Sequence, residues 1–270
     1  MPGITFWRDE ALPFIEARHV QSGHSVCYAK HAHETFSIGA ITAGRSSYVN
    51  GRLNLPVTAG AVVIMNPEDV HCCNPVENEP WSYLMLYVDV GWLANIQQEL
   101  GIVRESEFQR FSTILTTDKD LYGGLNRLYS ILTDAREDQL RKHGALVAFF
   151  SNVQTSLNSG PVKLKEAGHK VVVAAEYIRE NRTRTLKLED ICAVSGLSAP
   201  YLIRAFKQCY NMTPHAYLIN SRIEYCRTQL KRGEPIAEVA INAGFSDQAH
   251  LQRTFKQHMA VTPGQYRSRP

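Results

Sequence analysis

The strongest constraint on this chain is a stretch that it uses twice. Residues 202–217 read Leu202-x-Arg204-x-Phe206-Lys207-Gln208, four residues, then Thr213-Pro214-x-x-Tyr217. Residues 251–266 read Leu251-x-Arg253-x-Phe255-Lys256-Gln257, four residues, then Thr262-Pro263-x-x-Tyr266, each position 49 after its counterpart. Upstream, Leu188, Asp190, Ile191 and Gly196 face Ile236, Glu238, Val239 and Gly244 at an offset of 48, so one residue has been added after the second glycine. A unit of helix, glycine turn and helix has therefore been used two times, and the repeat governs any reading of the fold.

Each copy has the grammar of a helix-turn-helix. A glycine ends the first helix, where a left-handed residue can release the last carbonyls. Ser198 or Ser246 stands two residues later, in the place of an N-cap for the second helix. Leu202 and Phe206, like Leu251 and Phe255, are four apart and share one buried stripe, which leaves Arg204, Lys207, Arg253 and Lys256 on or beside the opposite face. A short helix pair with a basic outer face is how a recognition helix enters the major groove. A single copy reads equally well as a helical hairpin with solvated charges, and the duplication decides for DNA.

Charge is divided the same way. Residues 1–160 hold 12 Lys and Arg against 17 Asp and Glu, a net of −5, whereas residues 161–270 hold 17 against 9, a net of +8. A nucleic-acid module joined to a part with no need of phosphates has this asymmetry. No apolar run approaches the ~18 residues of a spanning helix and the start lacks a signal-peptide pattern, so a cytoplasmic protein without membrane contact is expected. The six cysteines show no paired zinc spacing. Cys192 reads as a small buried hydrophobe, and the adjacent Cys72 and Cys73 as free thiols in a reducing compartment.

From Phe6 to Val90 the pattern is that of short strands, at Ser25 to Tyr28, Phe36 to Thr42, Ser46 to Val49, Ala61 to Met65 and Tyr83 to Val88, separated by Gly, Asn and Pro turns. Such a pattern predicts a small barrel or sandwich able to enclose one ligand. His31 and His33 are two apart and point to one side of an extended segment, and His71 ends a later strand. With Gly44, Gly60 and Pro67 these residues resemble the two motifs of a cupin. The glutamate position of that family falls near Ser37 or Ile38, and the glycine between Pro67 and His71 is missing. Without the carboxylate an octahedral iron or manganese site lacks a ligand, although zinc held by three histidines remains possible. The expected site is a metal-free pocket holding a small polar metabolite through His31, His33, Glu34, Tyr48 and His71, with Arg45 a further candidate. The competing reading is that these are rim or core histidines with backbone partners.

After Gly91 the period becomes helical. Gly91 to Leu100 and Glu105 to Leu115 are short candidates, and Asp120 to Asp138 and Gln139 to Leu157 longer ones. Leu121, Leu125, Leu128 and Leu132 form one apolar stripe, either core packed on the barrel or a seam between two chains. Asn158 to Lys165 mixes breakers and charges and reads as a linker. The basic half then predicts helices at Lys170 to Asn181, with Val172, Ala175 and Ile178 inward, and at Leu188 to Ser195, Ser198 to Cys209, Thr213 to Lys231, Ile236 to Ala243 and Asp247 to His258.

These residues resemble those of the AraC/XylS-type transcription regulators, closely over about residues 170–268, and the amino-terminal half resembles the cupin-type sensing and dimerisation domain that many members carry. The resemblance implies an α+β multidomain protein: a cupin-like β-barrel with dimerisation helices over 1–158, a linker over 159–168, and over 169–270 an all-α domain of two helix-turn-helix units joined by a long helix. It places base-reading positions at Pro200, Ile203 and Arg204 on one recognition helix and at Gln248, Ala249, Gln252 and Arg253 on the other. Arginine can fork onto guanine and glutamine can pair with adenine. Lys207 and Lys256 would hold phosphates, which fix register without choosing sequence. The function implied is a sequence-specific regulator, an activator, not an enzyme and without a cofactor, that binds double-stranded promoter DNA as a homodimer. It would work with RNA polymerase and answer to a polar metabolite such as an amino acid. The alternative is a metal-dependent cupin enzyme fused to a DNA-binding domain.

Overall fold

The computed structural model describes residues 3–23, 26–77, 79–103, 107–157 and 168–267. These form two compact units. One comprises the described residues up to 27 and from 32 to 157; the other comprises 168–267 together with Tyr28–His31. The linker expected at 159–168 lies almost wholly outside the described residues.

The first unit is built from nine strands and three helices: β1 (Gly3–Trp7), β2 (Ile15–Gln21), β3 (Phe36–Ala43), β4 (Arg45–Asn50), β5 (Leu53–Thr58), β6 (Val62–Met65), β7 (His71–Pro75), β8 (Ser82–Val88), α1 (Val90–Glu99), β9 (Leu115–Thr116), α2 (Lys119–Thr133) and α3 (Gln139–Ser156). Two antiparallel sheets result, one ordered β1-β2-β8-β3-β6-β9 and the other β5-β4-β7. Strand alternation sends Phe36, Ile38 and Ala40 of β3, with Leu84, Leu86 and Val88 of β8, into one core with the helices. Ser37, Met85 and Tyr87 therefore belong to the other face of this sheet. Across that side the fully buried Tyr48 of β4 donates its hydroxyl to the carbonyl of Ile64 on β6 at 2.7 Å.

Leu121, Leu125, Leu128 and Leu132 of α2 are all buried in the helix-side core with Leu146, Phe150 and Val153 of α3. The stripe is thus internal packing, not a seam between chains. Two local expectations are overturned. Residues 26–30 form no strand, and residues 107–113 form no helix. The spacing of Phe108 and Phe111 imitates a helix, but both rings pack against Phe36, at 6.0 and 5.1 Å between centroids.

The second unit holds α4 (His169–Glu180), α5 (Leu188–Ser195), α6 (Ala199–Cys209), α7 (Pro214–Lys231), α8 (Ile236–Asn242), α9 (Gln248–Met259) and α10 (Pro263–Arg267). Leu202 and Phe206 are buried with Val171, Ala174, Ala175 and Ile178 of α4, so Val171 takes the inward place expected of Val172. The repeat is longer than the motif that revealed it. Phe206 meets Tyr217 at 5.7 Å and Phe255 meets Tyr266 at 5.5 Å. Arg179 of α4 donates to the Tyr217 hydroxyl at 3.0 Å, and Arg227 of α7, 48 residues on, donates to that of Tyr266 at 3.3 Å. Thus α4 and α7 are equivalent elements, and α7 does two things: its first turn closes the first unit of the repeat and its body opens the second. Threonine caps both closing turns, Thr213 accepting from Ala216 at 3.1 Å and Thr262 from Gln265 at 3.2 Å.

Candidate nucleic-acid interface and effector site

Both glycine turns have the left-handed backbone their sequence requires, with φ of 62° at Gly196 and 81° at Gly244. The helices that follow are capped differently. Ser198 is the N-cap of α6 but makes no side-chain cap bond. In the second copy the added residue, Asp247, displaces Ser246 as the cap and accepts from the His250 amide at 2.7 Å. That bond is the main reason the Asp247 carboxyl is held below its ordinary value, and a carboxylate there also complements the positive end of α9.

Beyond the caps, each second helix turns a polar face to solvent. On α6, Pro200, Arg204 and Lys207 are exposed and Ile203 is half-buried; on α9, Gln248, Ala249, Gln252, Arg253 and Lys256 are all exposed. Spacings of three and four residues gather each set on one side of its helix. Neither helix contains an acidic residue, so both faces are cationic. Tyr201 was not singled out by the motif. The residue is 48% exposed, large for an aromatic, and the Arg204 guanidinium lies 5.5 Å over its ring. The signal was an aromatic three residues before an arginine on the outward face of a helix, a spacing that lets the two side chains meet.

In the first unit, His33 and His71 come together with their rings 4.8 Å apart, and Tyr87 of β8 stands 5.5 Å from His33. Both histidines are buried. His33 Nδ1 contacts the Thr35 carbonyl at 2.9 Å and His71 Nδ1 the Asp69 carbonyl at 2.7 Å. A carbonyl only accepts, so each Nδ1 carries the proton and each Nε2 of the neutral ring is an acceptor. Ser37 Oγ lies 3.4 Å from His33 Nε2. Burial pushes the His71 pKa down, favouring that neutral form. His71 opens β7 rather than ending a strand as expected, and the loop that leads into it is pinned by Asn66, whose side chain exchanges bonds of 3.0 and 2.7 Å with the backbone of Phe111, and by the Arg110–Asp69 ion pair. Ser37 and Asp69 stand four and two residues from the histidines they meet, whereas Tyr87 and Arg110 carry no local signal of this role, because a separate strand and a distant loop bring them in.

Glu34, Arg45 and Tyr48 are not part of this pair. Glu34 is exposed. Arg45 is paired with Glu79 at the surface, 2.8 Å apart. Tyr48 is packed in the interior, and its hydroxyl also accepts from Asn50 at 2.8 Å. His31 groups with the second unit and contacts the Ala29 carbonyl through Nδ1 at 2.8 Å.

A family model described as an AraC-like ligand binding domain matches residues 15–150, and one described as a helix-turn-helix domain matches residues 191–269. Among curated relatives, the MmsAB operon regulatory protein of Pseudomonas aeruginosa is 29% identical over 79% of this chain and 67% of its own length. The uncharacterized HTH-type transcriptional regulator YbfI of Bacillus subtilis is 25% identical over 83% of this chain and 81% of its own. Among solved structures, ToxT from Vibrio cholerae has the same fold, with a TM-score of 0.62 at 16% identity over 94% of this chain and 97% of its own. The chain belongs to the AraC-type transcription regulators, with a ligand-binding domain ahead of its helix-turn-helix DNA-binding domain.

Proposed function

We propose that this protein is a promoter-bound activator whose α6 and α9 occupy two successive major grooves, under the control of a small polar metabolite held between the sheets of the first unit. The observation that carries the DNA half is the pair of exposed, acid-free helix faces. On them Arg204 and Arg253 are placed to fork onto guanine, Gln248 and Gln252 to pair with adenine, and Pro200, Ile203 and Ala249 to meet thymine methyls. Lys207 and Lys256 hold phosphates. The 18 residues of α7 rise about 27 Å, near the ~34 Å of one DNA turn once the flanking turns are added.

His33 and His71 support the effector half: two buried imidazoles side by side, each with its Nδ1 on a backbone carbonyl, suit a small ligand with polar groups, such as an amino acid or a polyol. Tyr48 then serves as wall. The assignment of residues 1–158 to sensing and dimerisation, 159–168 to a linker and 169–270 to DNA binding belongs to the same proposal, as do the homodimer and contact with RNA polymerase. Activation agrees with RhaR of Mannheimia succiniciproducens, a relative described as an activator. Control requires that the ligand bind the transcribing and silent states unequally.

The experiment begins by sequencing genomic fragments retained by the full chain, since genes beside them suggest metabolites for a thermal-shift screen. Transcription from the recovered promoter is then measured with and without each hit. ToxT has been solved with an unsaturated fatty acid bound, so an aliphatic carboxylate is the contrasting arm. Increased transcription at saturation with an amino acid or polyol supports the proposal. A response to the aliphatic carboxylate alone, or to nothing that shifts the melting curve, refutes it.

A further inference from the structure

The two copies of the repeat differ at one buried position of their opening helices. Register fixed by Arg179 and Arg227 sets Ala174 of α4 opposite Arg222 of α7, both buried. Where the first helix-turn-helix unit has a methyl group, the second has a guanidinium. Its Nε donates to the Arg182 carbonyl and its Nη2 to the Arg184 carbonyl, both at 2.8 Å. These carbonyls lie in the loop of residues 181–187 that joins α4 to α5 in the first helix-turn-helix unit. The same guanidinium stands 5.9 Å over the ring of Phe245, in the glycine turn of the second unit. That ring in turn meets His250 of α9 edge-on at 5.2 Å.

Three segments therefore converge on one side chain. They are packed so closely that a Cβ at Gly244 would lie 2.9 Å from Arg222 Nη2 and 3.0 Å from the Thr183 carbonyl. At Gly196, the matching turn, a Cβ would meet only Lys170 Nζ at 3.6 Å. A second tie runs alongside, with the Arg182 guanidinium 5.5 Å over Tyr225 of α7. A planar fork with five fixed donors can bridge two carbonyls and stack on a ring at once, which an ammonium cannot.

We propose that Arg222 is the positioning residue that fixes the second helix-turn-helix unit against the first, and so sets the distance between the two DNA elements that one chain can occupy. The DNA part of this statement rests on the reading that both units bind DNA.

The test uses the full chain as wild type, Arg222→Ala and Arg222→Lys, the lysine form serving if the alanine form does not fold. Each protein selects duplexes from a random-sequence library, and amide hydrogen exchange is followed without DNA. Wild type is expected to enrich two elements at one separation. The variants are expected to enrich the same elements at scattered separations. Their affinity for a duplex with one element should stay within about threefold of wild type while affinity for the composite site falls about tenfold or more, the loss of effective concentration when two linked modules lose their geometry. Exchange should quicken at 183–187 and 244–246. Variants that keep wild-type separation and composite affinity overturn the spacing role. A wild type that enriches one element overturns the reading of DNA by both units. Unchanged exchange at those amides in both variants overturns the tie itself.

Discussion

Tyr48→Phe separates a structural tyrosine from a ligand-binding one. The phenol is fully buried, donates to the Ile64 carbonyl at 2.7 Å and accepts from Asn50 at 2.8 Å. Burial raises its pKa far above the ordinary value, so the hydroxyl stays a donor at every pH at which the protein folds. Removing it leaves the ring in place and opens no large cavity. The cost comes chiefly from the Ile64 carbonyl, a buried acceptor deprived of its donor, worth about 1–3 kcal/mol. Asn50 is half-buried and can turn to water. A loss near 2 kcal/mol corresponds to a melting shift of roughly 4–8 °C for a unit of this size. All three tryptophans, Trp7, Trp81 and Trp92, lie in the first unit, so urea unfolding followed by their fluorescence reports that unit. Stability within about 0.5 kcal/mol of wild type, where harmless substitutions fall, together with a lost effector response, would refute the structural assignment.

Replacing Gln252 and Arg253 with alanine should relax base preference at the positions read by α9, by about 1–3 kcal/mol for the arginine contact. Ile203→Ala should do less, and a site-selection experiment giving the reverse order sinks this assignment. Leu125, fully buried under the first sheet, should lose about 2–5 kcal/mol on change to alanine without altering the sedimentation coefficient; a changed oligomer with normal stability would place the stripe at a subunit seam instead. His71 has a folded pKa lowered from 6.5 by burial. The unfolded chain therefore takes up its proton first. Stability contributed by the neutral ring is intact above pH ~6.5 and falls below it by up to ~1.4 kcal/mol per pH unit until the folded value is reached. Urea midpoints of wild type and His71→Gln that run parallel from pH 7.5 to 5, a range set about the histidine value, would contradict this.

The helical half was the more legible because its signals are local. Leu188–Ser195 forms the helix its caps and spacing describe, and the second unit of the repeat could be aligned on the first. Where Asp247 and not Ser246 caps α9, the clue is the shift of offset from 48 to 49. The sheets were harder. In β2 the alternation is hidden because Glu16 and Arg18 are buried on the face opposite Ile15 and Ala17, so no polar-out pattern exists to find. Pro56 disguised β5, which tolerates it as an edge strand. The histidines stand out by type and spacing, and Ser37 and Asp69 lie four and two residues from them, whereas Tyr87 depends on strand pairing over a long separation, which no short window of sequence contains.

The sharing of α7 between the two units limits how this molecule can change. A helix advances ~1.5 Å and turns ~100° per residue, so a one-residue insertion between Tyr217 and Arg222 would swing the second helix-turn-helix copy more than a quarter turn around the first copy while scarcely lengthening the bridge. Insertions near a whole turn would restore the heading but add ~5 Å. The reach of the protein along DNA is therefore quantised by its own helix. On the proposed reading of DNA by α6 and α9, a new operator sequence needs only single changes among their exposed residues, whereas a new operator spacing demands a jump.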